Sequence, residues 1–254
     1  MTWVDAHTHL DLPAFDVDRA DVLDRARAAG VGGFVICAAA PHDWDQVERV
    51  GRQIGAAWTL GVHPWWGTDL DDATHDALLH ALSRRQTPHG IGETGLDFAR
   101  AKEPVARERQ RSSTRAHLAL ARERGVPVVL HVVRAYPQIT ALLKADGVPE
   151  AGAMIHAWSG PPDTLDKLAT LGVCVSIGAG VATSSRIAEV AARVPDPLLL
   201  LETDAPDQPW TPGARGEPAD LVRVAERVAA LRGCTTLQVM DLSARNARTL
   251  FPAL

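Results

Sequence analysis

Two histidines one residue apart, His7 and His9 in Asp5-Ala6-His7-Thr8-His9, are the residues of this chain best suited to chemistry. Successive side chains of a strand face opposite sides, so the two imidazoles share a face and can aim at one metal ion. Further candidates recur along the chain, each just after a short apolar run. His63 stands in Gly61-Val62-His63-Pro64, Glu93 in Gly92-Glu93-Thr94-Gly95, and His131 after Val126-Pro127-Val128-Val129-Leu130. His156 follows Met154-Ile155, and Asp204 lies in Glu202-Thr203-Asp204-Ala205-Pro206. Imidazole nitrogens mixed with carboxylate oxygens suit zinc or manganese, whereas magnesium prefers more oxygen and water. The set exceeds what one tetrahedral ion uses, which favours two divalent cations, Zn2+, Mg2+ or Mn2+, joined by a carboxylate. Two such ions activate water for hydrolysis.

Residues so far apart in sequence need a scaffold that gathers them. Apolar runs alternate with helix-periodic charged segments throughout, the pattern of repeated β-α units. Strands are predicted near Trp3 to Ala6, Phe34 to Ala38, Ala57 to Val62, Gly90 to Gly92, Val126 to Leu130, Gly152 to Ile155, Val173 to Ile177 and Leu198 to Leu201. Helices are predicted between them, such as Arg19 to Ala29, Asp43 to Ile54, Ala73 to Arg84 and Ala106 to Arg124, all rich in Ala, Leu, Arg and Glu. After the eighth strand come Pro218 to Arg232 and Leu237 to Leu250, read as the eighth barrel helix and an extra C-terminal helix. The count favours an α/β fold, a (β/α)8 TIM barrel, over an open doubly wound sheet. In such a barrel, side chains at strand C-terminal ends converge on one face. The absence of a linker or internal repeat predicts a single domain over 1–254.

The composition fits this reading and excludes others. The 254 residues are 46% hydrophobic and 22% charged, with no long apolar run, as in a soluble globular protein without a membrane span. The three cysteines, Cys37, Cys174 and Cys234, form no CxxC pair, which argues against a disulfide framework or a cysteine zinc site. No basic segment leads into an apolar core at the N-terminus, so the working chain is expected to start near Met1 and to be cytoplasmic. A net charge of −5 supplies no global basic field for nucleic acid, although cations bound in a carboxylate-rich pocket would supply a local one.

Other residues separate into site and scaffold. His42, His75, His80, His89 and His117 fall in loops or helical segments and are assigned ordinary surface or packing roles. Glu202 shares Asp204's face by parity and is either a partner behind the ligands or half of a structural ion pair. Arg100 and Arg134 follow strands four and five, where a guanidinium can clamp a phosphate. Trp65, Trp66, Trp158 and Trp210 fall in strand-end loops, where indole faces stack unpaired bases or simply pack under the loops. Gly90-Ile91-Gly92-Glu93-Thr94-Gly95 has the letters of a dinucleotide fingerprint, GxGxxG. No helical pattern opens after it, so it is set aside.

Taken in order, these blocks resemble the TatD family of metal-dependent deoxyribonucleases, within the amidohydrolase-like barrels. The opening HxH segment, Gly61-Val62-His63-Pro64, Gly92-Glu93-Thr94-Gly95-Leu96-Asp97-Phe98, Val129-Leu130-His131 with Arg134-Ala135, His156-Ala157-Trp158-Ser159-Gly160, Glu202-Thr203-Asp204-Ala205-Pro206 and Asn246-Ala247-Arg248-Thr249-Leu250-Phe251 are all similar to it. By position, the resemblance implies one metal on His7, His9, Glu93 and Asp204, and a second on Glu93, His131 and His156. It also implies that His63 contacts the scissile phosphate and that Asp204 orients or deprotonates the attacking water. The chain departs from the family pattern at Val132-Val133, where a polar residue or cysteine is frequent, and at Arg215-Gly216 before Glu217-Pro218, after a short loop from Asp207 to Gly213. The expected function is hydrolysis of DNA phosphodiesters at single-stranded ends, with no obligatory protein partner. The alternative is hydrolysis of a small amide, ester or lactone with the same metals, motivated by the acidic charge and the short eighth loop.

Overall fold

The computed structural model describes residues 2–85 and 88–254. Met1, Gln86 and Thr87 lie outside them, and with Met1 the expected start of the working chain. Among the described residues, eight parallel strands pair in sequence order: β1 Trp3–Thr8, β2 Val31–Cys37, β3 Ala57–Leu60, β4 Gly90–Asp97, β5 Val128–Val133, β6 Ala153–Ile155, β7 Cys174–Ile177 and β8 Leu199–Leu201. Helices α1 Arg19–Ala28, α2 Trp44–Ile54, α3 Pro64–Asp69, α4 Asp72–Ser83, α5 Pro104–Arg124, α6 Tyr136–Asp146, α7 Pro162–Ala169, α8 Ser185–Arg193 and α9 Leu221–Arg232 lie between or after them. The last helix, α10 Thr236–Leu250, opens with a capping box in which Thr235 and Gln238 satisfy one another's backbone N–H groups. This is the expected (β/α)8 barrel with its extra C-terminal helix. The short α3 was not foreseen, and it carries Trp65 and Trp66 as helix residues rather than loop residues.

Two apolar layers hold the barrel. Outward residues such as Phe34, Ile36, Leu60, Ile91, Leu130 and Val175 pack under the helices. Inward residues, among them Val4, Val35, Ala57, Val129, Met154 and Leu200, meet Ala247, Leu250 and Phe251 of the C-terminal segment. Leu250 and Phe251 lie against Gly152 and Gly90, which precede β6 and begin β4, so α10 plugs the N-terminal end of the barrel. The opposite end is left for the polar side chains.

The seam between the first and last strands is closed by a carboxylate. Beyond β8 the chain continues alongside β1, with His9 N donating to Ala205 O at 2.8 Å and Asp204 N to His7 O at 3.0 Å. The fully buried Asp5 accepts from Thr203 N at 2.9 Å and from the Thr203 hydroxyl at 2.5 Å. Burial dominates its acidity and pushes the Asp5 carboxyl up to about 7.

Several strands run further than the sequence suggests. Pairing of Thr94 through Asp97 with Leu130 through Val133 extends β4 and β5, so Glu93 and His131 sit inside strands rather than after them. Both β1 and β4 also carry one extra residue against their neighbours, between Asp5 and Thr8 and between Ile91 and Thr94. Such a bulge re-aims the side chains beyond it. In β1 it transfers the inward position from Val4 and Ala6 to His7. In β4 the glycines of the false fingerprint permit it. Gly92 and Gly95 have φ of +150° and +135°, and a Cβ on either would come within 2.6 and 2.1 Å of carbonyl oxygens of β5.

Helix α5 holds the ends of β3 and β4 through a polar face that is wholly buried. Gln110 accepts from Asp97 N and donates to Pro64 O, Thr114 donates to Gly95 O, and His117 Nε2 accepts from Val62 N at 2.9 Å. His117 Nδ1 in turn faces Ser113 O at 2.7 Å. His117, expected to have an ordinary packing or surface role, is therefore a fully buried support of the residue before His63. Burial lowers its pKa to about 4, so the folded protein keeps it neutral. In the unfolded chain it takes a proton near pH 6.5. Its contribution is thus complete above that pH and is lost as pH falls towards 4, by at most about 3 kcal/mol. Denaturant titrations of the wild type and His117→Gln should therefore show a stability gap that narrows as pH drops from 6.5 to 4. A gap independent of pH would contradict the assignment.

Candidate metal centre

Glu93 lies at the centre of the barrel mouth and is 2% exposed. Its two oxygens face different groups. Oε1 is 3.6 Å from both His7 Nε2 and His9 Nε2, while Oε2 is 2.8 Å from His156 Nε2 and 3.8 Å from His131 Nδ1. Asp204 Oδ1 completes the first group, 3.5 Å from His7 Nε2 and 3.2 Å from His9 Nε2. The second group is tighter, with His131 Nδ1 and His156 Nε2 3.1 Å apart. All six residues named as ligands from sequence are thus brought together.

These distances test whether a cation fits. Ligands about 2.1 Å from a tetrahedral ion stand about 3.4 Å from one another, and the first group spans 3.2 to 3.6 Å. A buried nitrogen without a hydrogen-bond partner points the same way: His7 Nε2, which faces both Glu93 and Asp204. Three groups of side chains bring possible donor atoms within 4.8 Å of one another: His7 with His9 and Asp204, His7 with His156 and Glu202, and His63 with Glu93 and His131, of which the first is the one described above. Orientation is provided from behind: His9 Nδ1 lies 2.8 Å from Cys37 O, and the rings of His7 and His156 stack at 3.9 Å.

The electrostatics favour positive charge at this point. Glu93 and Asp204 are held well below the usual carboxylate range, because the imidazoles of His156, His7 and His9 outweigh the opposing effect of burial. Against the same burial, the two carboxylates push His156 up to about 9 and hold His9 well above its ordinary value. His7 goes the other way, lowered to about 4 by burial and by His156. A cation entering the cluster would displace the protons that these imidazoles otherwise bind.

His63 differs from the other histidines. It caps α3, and its Nδ1 accepts from Trp65 N at 3.2 Å. Burial lowers it to about 3, so it is neutral, and with Nδ1 accepting, its proton sits on Nε2, 3.7 Å from Glu93 Oε2. That nitrogen is a donor.

Asp97 and Gln208 were not singled out from sequence, whereas Glu202 was expected either behind the ligands or in an ion pair. Asp97 accepts from the Trp65 indole at 2.6 Å and lies 3.5 Å from His131 Nε2. Gln208, at a left-handed φ of 48°, donates to Asp204 Oδ2 at 2.6 Å. Glu202 accepts from Ala157 N at 2.6 Å and from the Ser176 hydroxyl, and its Oε1 is 3.9 Å from His156 Nδ1. Burial pushes it up to about 8, and its partners place it behind the ligands rather than in an ion pair with a basic residue. Only Asp97 and Glu202 had a usable cue, each standing next to a candidate in a strand-end block.

Arg100 and Arg134 are exposed and line neither cavity at the site; the Arg100 guanidinium sits 5.3 Å over Trp65. Trp65 and Trp66 are 46% and 40% exposed at the rim, while Trp158 is buried against Tyr136 and Trp210 lies under Arg223. Val132 and Val133 do form part of the pocket wall. The loop after β8 is tied across the seam by Arg215, which bridges Asp18 and Glu217, and by Arg25 on Glu217.

The family model described as TatD related DNase matches residues 4–252. The 3'-5' ssDNA/RNA exonuclease TatD of Pantoea vagans is 34% identical over 262 residues, covering 97% of this chain and 98% of its own length. The uncharacterized metal-dependent hydrolase YjjV of Escherichia coli is 30% identical, with 98% and 97% covered. The crystal structure of that TatD homolog superposes with a TM-score of 0.88 at 29% identity over 98% of both chains. A TatD family hydrolase from Entamoeba histolytica shares the fold at 17% identity, with a TM-score of 0.87 and 100% and 99% covered.

Asp97→Asn removes a negative charge beside His131 while keeping the shape. It should weaken divalent-cation binding by about 10–100-fold, read by titrating metal-free protein with Mn2+ or Zn2+. Unchanged affinity would show that Asp97 does not support the metal centre.

Proposed function

Because this chain belongs to the family of TatD-related DNases, we propose that it is a divalent-metal-dependent hydrolase that cleaves phosphodiester bonds of DNA from single-stranded ends, working as a single domain over 1–254. One observation carries the reading: each oxygen of Glu93 faces a separate pair of imidazoles. We assign one divalent cation to His7, His9, Glu93 and Asp204 and a second to Glu93, His131 and His156, with Zn2+, Mn2+ or Mg2+ as the ion. When bound, the pair supplies an activated water and neutralises charge on the attacking and leaving oxygens.

The chain's own residues then have distinct tasks. His63, neutral and carrying its proton on Nε2, donates to a non-bridging oxygen of the scissile phosphate. Asp204 presents Oδ1 to the first group, while Gln208 holds Oδ2, so its carboxylate is fixed where it orients the attacking water. The barrel supplies rigid placement. Relatives named 3'-5' ssDNA/RNA exonucleases support attack from a 3' end. Among the described residues no helix is long and apolar enough to cross a membrane.

The metal-loaded protein should shorten a single-stranded oligonucleotide stepwise, releasing mononucleotides, and chelation should stop it. Glu93→Ala should lower that rate by roughly 100-fold or more, since even outer partners of metal ligands cost 10–100-fold. Full activity in Glu93→Ala would remove the bridge from the account. Cleavage of an ester or lactone panel with no nuclease activity above the Glu93→Ala control would favour the small-molecule alternative.

A further inference from the structure

Beside the ligand cluster lies a cavity of about 440 Å3, sharing Trp65, His131, His156, Asp204 and Asp207 with the smaller cavity over the cluster itself. Its volume falls in the range of about 300–1,000 Å3 that small-molecule sites occupy. The wall away from the cluster is Val132, Val133, Ala157, Trp158 and Ile187. No arginine or lysine among the described residues lines it, and outside the ligand cluster its ionisable lining is a carboxylate, Asp207, which is exposed at the rim.

Such a lining selects by charge and shape. A flat, uncharged group gains from leaving water against indole and branched aliphatic surface. A phosphate placed against the wall away from the metal ligands meets no arginine or lysine to replace its hydration and faces a carboxylate. The lining is also preset. The Trp65 indole is held by Asp97 at 2.6 Å and covered by Arg100 at 5.3 Å. Asp207 sits on a loop held on both sides: Gln208 donates to Asp204, and Gly216 N donates to Pro206 O at 2.9 Å. Beyond Gly216 the Arg215, Asp18 and Glu217 ion pairs tie that loop to the first one.

Resting on the nuclease reading above, we propose that this chamber is the subsite for the 3'-terminal nucleoside of the strand, with its base against Trp65 and the aliphatic wall, and that Asp207 makes the enzyme select a free 3'-hydroxyl over a 3'-phosphate. The hydroxyl donates a hydrogen bond to the Asp207 carboxylate, and a phosphate at the same carbon meets it as a like charge. Hydrolysis then adds water across the last phosphodiester. The water oxygen bonds to phosphorus, the bond from phosphorus to the preceding 3'-oxygen breaks, and a water proton goes to that leaving oxygen. The chamber is left holding a nucleoside 5'-monophosphate, and the shortened strand again ends in a 3'-hydroxyl.

One labelled oligonucleotide carrying three alternative ends tests this with the metal-loaded wild type: a 3'-hydroxyl nucleotide, a 3'-phosphate, and a 3'-hydroxyl abasic residue. The phosphate end should be cleaved with a kcat/KM at least about tenfold lower than the hydroxyl end. The abasic end should lose about tenfold, mostly through KM. In Asp207→Lys, a substitution at an exposed position, the 3'-phosphate handicap should shrink to within about threefold. Equal rates on hydroxyl and phosphate ends, or a handicap unchanged in Asp207→Lys, would overturn the role of Asp207. Equal KM for the abasic end would overturn the base subsite. Failure to cleave any of the three would instead sink the nuclease reading itself.

Discussion

The structure turns on one carboxylate that serves two sides at once. Glu93 is buried, and an isolated buried carboxylate is costly. It remains ionised because imidazoles surround it: His7 and His9 against one oxygen, His156 and His131 against the other. Every ligand assigned to either metal is defined by its distance from this side chain or from Asp204 beside it. A displacement of Glu93 by an ångström would undo both groups together.

Much of the scaffold can be understood as the means of holding that position. The bulge in β4 turns Glu93 inward and the bulge in β1 turns His7 towards it, so two strand irregularities meet at one point. The Asp5 to Thr203 contact fixes β1 beside the segment that carries Asp204, which sets the distance across the seam. Gln110, Thr114 and His117 occupy a helix face that ordinarily would be apolar, and they bind backbone of β4 and of the segment just beyond β3 instead. Buried polar groups satisfied this fully restrict the positions that the strand ends can take.

The barrel and the six residues proposed as ligands were legible in the sequence because both leave periodic marks. Short apolar runs alternate with helical segments, and each ligand follows its run by one to three residues. What stayed hidden depends on distance in space rather than in sequence. The bulges have no composition of their own, so strand ends were placed too early at Glu93 and His131. Asp5 and Thr203 are 198 residues apart, and nothing near either announces the other. The polar face of α5 did leave a trace, since Gln110, Thr114 and His117 recur at helical spacing. It passed as ordinary helix because polar residues at that spacing usually face water. The substrate wall was marked only as a departure at Val132-Val133, and its partners Ile187, Trp158 and Asp207 come from three later loops and helices.

The central claim is that Glu93 joins two cations, and anomalous diffraction from crystals of the Zn2+- or Mn2+-loaded protein tests it most directly. The account predicts two anomalous peaks about 3.5–4 Å apart, one among His7, His9 and Asp204 and one between His131 and His156, with a Glu93 oxygen on each. A single peak, or two peaks with Glu93 turned away from either, would contradict it.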